Sequence, residues 1–387
     1  MTTTLEGAPP ITLTAYTGTF VRRGDIAAPN EVNILGRHNA PGAVVFQLDD
    51  DHERVADLTD EGARVVCTYR PPVGGDPYTI SGTVWELDGT DDAAGTRSFM
   101  VLDDFDAVFN AVQGWPNPTG TIDQQGDEGA YHTVAGPAET VLKAITTPNA
   151  SRQGVPLTVP PSQGRGASIT VSIRMHPLGD RLFPAVDLAG IGARVVQAGA
   201  GLELQTYEPA TYTRELTQDS GAILSGTYKR TPPTVTRVVV GAGGEGTARR
   251  FLQVIDHDAE ALWKIRRAAF VDARDIPGDD PNLTARMTER AHQALAEGAA
   301  RTGLKVELAE TDAFGFMRTF RLGDQVPVRL RGAPRLTDRV REVEILWTPD
   351  DGLEVTPRIG EWQDSESDEM YRLISAALTA TRDLETR

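Results

Sequence analysis

Gly241-Ala242-Gly243-Gly244-Glu245-Gly246 forms a literal GxGxxG directly after the strand-like run Arg237-Val238-Val239-Val240. In a dinucleotide fold such glycines make a tight turn into a helix whose N-terminus holds pyrophosphate, and an acidic residue ends the next strand about 20 positions on. Asp256, Asp258 and Glu260 are available for that role, yet the strand-like Phe251–Ile255 follows too soon to leave room for a crossover helix. The motif also lies deep in the chain, without a parallel βαβ series around it. A flexible glycine hairpin or loop accounts for it more simply, with nucleotide binding as the competing reading.

Two acidic runs come next, Asp49-Asp50-Asp51-His52-Glu53 and the stretch Asp272 to Asp280. Calcium loops alternate carboxylates, bend at a glycine and close with a distal bidentate Glu. Neither run has that spacing, so solvated turns are expected. The six histidines (38, 52, 132, 176, 257 and 292) are scattered and offer no HxxxH or HxxEH pair for a metal. Asp256-His257-Asp258 mimics an acid/base triplet but lacks a nucleophile, and it reads as a turn cap. No GxSxG elbow, P-loop or CxxC occurs. With 55 Asp and Glu, nothing singles out a carboxylate pair for glycoside hydrolysis. The expectation is a protein that is not an enzyme, with no cofactor and no metal.

The elements that position these residues come from a chain of 387 residues, long enough for two or three domains. The single Cys67 sits on the apolar face of a strand, which rules out an internal disulfide and fits a small buried hydrophobe. A net charge of −17 argues against gripping DNA or anionic membranes. It suits the wall of a conduit along which DNA slides without sticking. Only four of the 38 basic residues are Lys. The N-terminus lacks a basic and apolar leader, and no stretch approaches about 18 uninterrupted apolar residues. A protein made soluble in the cytoplasm, without a membrane anchor, is expected.

Residues 11 to about 115 read as β, with strands at Ile11 to Tyr16, Ala43 to Leu48, Ala63 to Tyr69, Tyr78 to Leu87 and Ser98 to Asp103. A turn-dense run from Trp115 to Gly120 marks a boundary. Ala138, Val141, Leu142 and Ile145 follow helical spacing between Pro137 and Pro148. A short helix from Asp180 to Ala189 precedes a hairpin turned at Gly199-Ala200-Gly201. Strand character returns at Ile223 to Tyr228 and Thr234 to Val240, whereas Asp256 to Ala273 is ambiguous between strand and helix. A helix from Leu283 to Arg301 leads into a strand at Leu304 to Ala309. Ser365-x-x-Asp368 opens a last amphipathic helix, Asp368 to Leu384, whose stripe includes Met370, Leu373, Ile374 and Leu378. Those four are the candidate partner-docking residues.

The chain spells one phrase twice. Leu58 to Arg70, LTDEGARVVCTYR, and Leu322 to Arg331, LGDQVPVRLR, are each an acidic turn followed by an alternating strand. Val65, Cys67 and Tyr69 share one face, as do Val326, Val328 and Leu330, while Arg329 and Arg331 face out. The fold class is thus α+β, mainly β, with two β-barrels, α+β insertions and a C-terminal helix. The expected division is a first barrel at 1–118 and a small α+β domain at 119–210. A discontinuous second barrel covers 211–262 and 312–362, with a helical insertion at 263–311 and the terminal helix at 363–387. A carbohydrate-binding or carbohydrate-active β-protein is the alternative class, with the tryptophans 85, 115, 263, 347 and 362 available to line a groove.

The order of these phrases resembles the baseplate hub, or minor tail, proteins of long-tailed bacteriophages, particularly siphophages of actinobacteria. The resemblance rests on Val44 to Leu48 followed by Leu58 to Tyr69, on Pro137 to Ile145, on Val235 to Arg250, on Phe320 to Leu330 and on Val343 to Gly360. It implies a homotrimer with two barrels per subunit, giving a pseudo-sixfold ring between a sixfold tail tube and a threefold tip. The implied partners are the distal tail protein, the tape-measure protein and tail-tip or fibre proteins, with phage DNA passing transiently through the lumen at ejection. The implied location is the virion tail tip, after assembly in the host cytoplasm. Many hub proteins continue into a lytic or fibre-like region, so any peptidoglycan-degrading activity is expected on another chain.

Overall fold

The computed structural model describes residues 9–89, 95–125, 129–220, 223–244, 246–308, 314–331 and 335–360. The N-terminal segment supplies β1 (Ile11–Tyr16), β2 (Arg22–Ile26), β3 (Glu31–Arg37), β4 (Ala43–Asp49), β5 (Arg64–Tyr69), β6 (Tyr78–Gly89) and β7 (Thr96–Asp103), with helix α1 (Val55–Thr59) between β4 and β5. β5 is the first copy of the repeated phrase, and its alternation buries Val65, Cys67 and Tyr69 on one face. All its neighbours are antiparallel, and the spatial order is β3-β4-β7-β6-β5-β1-β2.

The second copy repeats this order. Ile223–Thr231 pairs with Arg301–Leu308, which pairs with Gly352–Gly360, then Leu336–Thr348, then Gln325–Arg329, and finally the two-residue strand Leu216–Thr217. Each strand has its counterpart in the first lobe, taken in the order β3, β4, β7, β6, β5 and β1. The ladders agree in detail. Thr83 of β6 lies opposite Arg64, as Arg339 lies opposite Gln325. A bulge separates Val84 from Glu86 against β7, as another separates Val340 from Glu342 against Gly352–Gly360. In this register Val65, Cys67 and Tyr69 coincide with Val326, Val328 and Leu330, all buried. The lobes differ at one edge, where β1 runs antiparallel to β5 but Leu216–Thr217 runs parallel to Gln325–Arg329.

The expected two barrels take the form of two lobes of one open sheet, and no closed barrel is present among the described residues. The reason is the length of Leu336–Thr348. Its first residues pair with Gln325–Arg329, and the rest extend past that partner to pair with β3, from Glu342 opposite Arg37 to Trp347 opposite Val32. One core crosses this seam. Phe46, Phe99, Val65 and Tyr69 from the first lobe join Phe316, Phe320, Val326, Val343 and Ile345 from the second. Phe316 lies 5.3 Å from the Tyr78 ring and 6.1 Å from that of Tyr69. Burying each such aromatic contributes about 2–3 kcal/mol.

Two further units accompany the lobes, one connecting them and one inserted into the second. The middle unit follows β7 and contains α2 (Asp104–Phe109), α3 (Ala138–Arg152), α4 (Leu178–Leu188), the pair His132–Pro137 with Ser168–Ile173, and the hairpin Gly192–Ala198 with Gly201–Tyr207. Its core includes Phe105 and Phe109 packed on Phe183, so α2 lies with this unit, on the far side of the boundary that the sequence predicts at 118/119. Helix α3 runs through Pro148 to Arg152, whereas the sequence placed its end before that proline. The proline removes an N–H that would bond the Ala144 carbonyl, and the helix accommodates it where Ala144 is on the exposed side.

The second insertion separates Ile223–Thr231 from Arg301–Leu308. It holds the sheet Phe251–Ile255, Arg237–Ala242, Ala268–Ala273 with α5 (His257–Trp263) and α6 (Leu283–Glu297), around Val238, Val240 and Met287. The boundary expected at 262/263 therefore runs through this unit. No helix among the described residues is long and apolar enough to cross a membrane.

Candidate functional site at the lobe seam and its free edges

The residues that looked most chemical in sequence have structural partners. Arg237–Ala242 and Phe251–Ile255 form an antiparallel hairpin, so the glycine motif is the connection of a hairpin and not a strand-to-helix phosphate turn. Gly241 is still in the ladder opposite Phe251, and the Gly243 N–H donates to the Ile276 carbonyl at 2.7 Å. Gly244 has φ +117°, and a side chain there would meet the Ala248 carbonyl. Asp256 caps α5 by accepting from the Ala259 N–H at 2.8 Å.

The acidic runs are held by arginines and turns. Asp50 accepts from Arg97 Nε at 2.7 Å, and Asp49 accepts from Asn30. Asp272 pairs with Arg249, Asp280 with Arg286, and Asp275 with both Tyr131 and Arg290. No cluster of His, Cys, Asp and Glu suited to a metal occurs among the described residues. Cys67 is buried, and desolvation pushes its thiol far above the usual range, which makes it inert.

What the structure does assemble is a set of joints between lobes and insertions. His38, in the turn after β3, is buried between Tyr207 and Asp187 of the middle unit. Its Nε2 donates to Asp187 Oδ1 at 2.8 Å, since a carboxylate only accepts, and its Nδ1 accepts from the Tyr207 hydroxyl at 2.9 Å. Asp187 also receives Arg341 Nη1 of the second lobe at 2.7 Å. Desolvation holds the imidazole below its ordinary pKa against the pull of Asp187. Burial alone would raise the Asp187 carboxyl, but the His38 hydrogen bond and the Arg341 charge hold it well below the carboxylate range. In the sequence His38 stands alone, because its partners Asp187 and Tyr207 lie 149 and 169 positions away.

A second joint is buried between β5 and α2. Arg64 reaches Asp104 with one Nη at 2.8 and 2.7 Å, Ser81 donates to the same carboxylate at 2.6 Å, and Arg64 Nε donates to Gln197 at 3.0 Å. The two insertions meet where Arg181 and the Ser172 N–H bond Glu289 of α6. An open cleft of about 700 Å³ lies beside the His38 joint, bordered by Arg37, Arg165, Arg194 and Tyr207. Its lining mixes arginines with the carboxylates of Asp76, Asp103, Glu203 and Asp324 and includes no Ser, Cys or His.

The seam itself is double-faced. On one face Arg37 Nε donates to Glu342 at 2.6 Å, and Glu344 receives Asn33 at 3.0 Å and Arg358 at 2.9 Å. On the other, Ile34, Val343 and Ile345 are fully buried, and Gly36 leaves the room that the Tyr78 hydroxyl occupies. Away from the seam, no strand among the described residues pairs with the corresponding edges. Trp85 and Leu87 of β6 are 46% and 42% exposed, and Tyr228 of Ile223–Thr231 is 42% exposed. The proposed docking residues Met370, Leu373, Ile374 and Leu378 lie outside the described residues.

Two pseudo-equivalent β lobes, fused edge to edge, are thus fastened to the middle unit by buried ion pairs, and the middle unit in turn to the second insertion. The chain belongs to the family of Siphovirus ReqiPepy6 Gp37-like proteins, which matches residues 12–361. Among solved structures it is similar to the 43 kDa tail protein of prophage MuSo2 from Shewanella oneidensis (TM-score 0.54, 11% identity, 90% of this chain and 97% of that one). It is equally similar to prophage tail protein gp18 from Listeria monocytogenes EGD-e (TM-score 0.54, 11% identity, 94% and 98%). A tail protein from Neisseria meningitidis MC58 gives a TM-score of 0.51 at 13% identity over 91% and 96%. No curated protein sequence matches the chain.

Proposed function

We propose that this chain is a structural component of a phage tail and serves as its baseplate hub. Three copies form a ring with six similar lobes, which adapts a sixfold tail tube to a threefold tip and leaves a lumen for DNA at ejection. The observation that carries this reading is the recurrence of one strand order, with one bulge position, in both lobes. A subunit that presents nearly the same ladder twice is what a threefold ring needs to meet a sixfold neighbour. The family and the tail-protein fold support the tail role. Ordinary structural partners for the acidic runs and the glycine motif favour a non-enzymatic part.

The distal tail protein, the tape-measure protein and tip or fibre proteins are the partners of this reading. The apolar stripe Met370, Leu373, Ile374 and Leu378 is its docking element. Light scattering on the purified chain tests it, with an expected mass near three times 41.7 kDa and threefold rings with a central hole in negative stain. A solution of compact monomers that also fails to enter tails in a complementation assay overturns it. Deleting 366–387 is expected to abolish particle assembly, and intact assembly would remove the stripe from the proposal.

A further inference from the structure

We infer that the free edge of Ile223–Thr231 pairs antiparallel with Glu86–Gly89 of the next copy, repeating between chains the seam that joins the lobes within one chain. The inference rests on the hub reading and names its subunit interface. Within the chain, β3 of the first lobe pairs with the extension of Leu336–Thr348 in the second. The counterpart of β3 in the second lobe is Ile223–Thr231, and the counterpart of that extension in the first is the end of β6. Among the described residues no further strand pairs with either on the corresponding edge. Ile223–Thr231 pairs only with Arg301–Leu308, and β6 leaves β5 at Thr83 while continuing along β7 to Gly89.

The internal register transfers residue by residue. Glu342 opposite Arg37 becomes Glu86 opposite Thr231, and Val343 opposite Gly36 becomes Leu87 opposite Arg230. Glu344 opposite Leu35 becomes Asp88 opposite Lys229, and Ile345 opposite Ile34 becomes Gly89 opposite Tyr228. Exposure points the same way. Val343 is 0% exposed and its counterpart Leu87 42%, while Ile34 is 1% exposed and its counterpart Tyr228 42%. Two of the positions buried by the internal seam thus carry a large apolar residue, Leu87 and Tyr228, where no described strand pairs with the edge, while the other two carry Arg230 and Gly89. Across the inferred seam Leu87 and Tyr228 are diagonal neighbours on one face, within reach of each other. On the other face the acidic Glu86 and Asp88 stand opposite Thr231 and Lys229. Such an interface is head-to-tail, so it generates a ring when its rotation closes and an open filament when it does not.

Cysteine pairs in the full-length chain test the register, since buried Cys67 does not compete. Leu87→Cys with Arg230→Cys in one chain is expected to give covalent trimers on a non-reducing gel, and a mixture of the two single variants covalent dimers only. Leu87→Cys with Lys229→Cys, one residue out of register and so on the opposite face, is expected to stay uncrosslinked. Leu87→Lys sets a like charge against Arg230 and is expected to weaken association at least tenfold, with Arg230→Glu in the same chain restoring it. Circular dichroism checks that each variant folds. A trimer that resists Leu87→Lys and gives no in-register crosslink overturns this seam and leaves the trimeric hub standing. A wild-type chain that remains monomeric at every concentration overturns both. In-register crosslinks along an open filament support the seam and overturn the ring.

Discussion

His38 and Asp187, 149 residues apart in sequence, are joined by a 2.8 Å hydrogen bond that pins the turn after β3 to α4. Arg341 completes the joint from the second lobe, so three parts of the molecule meet on one carboxylate. Tyr207 closes the other side of the ring, and Arg339 and Asp324 lie in the electrostatic surroundings of His38.

This joint makes stability pH-dependent. Desolvation lowers the pKa of His38 below its unfolded value of 6.5, so below about 6.5 the unfolded chain binds more protons than the folded one. Its stabilisation is complete above that value and is lost as pH falls through it. Asp187, also lowered from 3.8, loses its contribution only on stronger acidification. Melting temperature is expected to fall between pH 7.5 and 5.5. His38→Gln is expected to cost on the order of 1–3 kcal/mol at neutral pH and to flatten that slope. An unchanged slope in the variant assigns the pH dependence elsewhere.

Arg64→Ala leaves Asp104 charged and buried. Desolvation already pushes the Asp104 pKa up against the pull of Arg64. The single change is expected to cost about 3–5 kcal/mol in urea denaturation. Arg64→Met with Asp104→Leu is expected to recover much of it, because both charges then leave together.

The shared core makes the lobes one cooperative body. Phe316→Ala removes a ring packed between Tyr69, Tyr78 and Phe320 and is expected to cost about 3–5 kcal/mol. Hydrogen exchange is expected to rise together in β5 and in Leu336–Thr348. Loss of protection in the second lobe alone would show that the lobes unfold separately.

The glycine hairpin is expected to answer to backbone strain and not to nucleotide. Millimolar NAD or ATP should leave the melting temperature of the wild-type chain unchanged, whereas Gly244→Ala, with φ +117°, should destabilise by roughly 1–3 kcal/mol. A nucleotide-dependent rise abolished by Gly241 and Gly243 substitutions would revive the dinucleotide reading.

Alternation made the paired phrases readable. Arg64–Tyr69 and Gln325–Arg329 each bury one face, and the period of two survives in the residue types. The bland reading of Asp256 as a turn cap came from the same local logic. β3 escaped because Ile34, Leu35 and Gly36 are buried in succession, with partners on both edges, which erases the alternation. β2, Arg22-Arg23-Gly24-Asp25-Ile26, carries too much charge to resemble a strand. Missing β3 meant missing the seam, since two isolated barrels need no strand there. The ion-pair joints were illegible for another reason: Arg64 to Asp104 or Arg341 to Asp187 become neighbours only after the chain has folded.

The ladder between β3 and Leu336–Thr348 also has a mechanical grain. A force along its strands loads the rungs from Glu342 to Trp347 together, so the lobes resist sliding past one another. A force across the strands loads one rung at a time, starting at an end. The molecule is therefore stiff to thrust along the seam and yields first to peeling, and Arg37 with Glu342, at one end of the ladder, is the clasp that a peeling force must open.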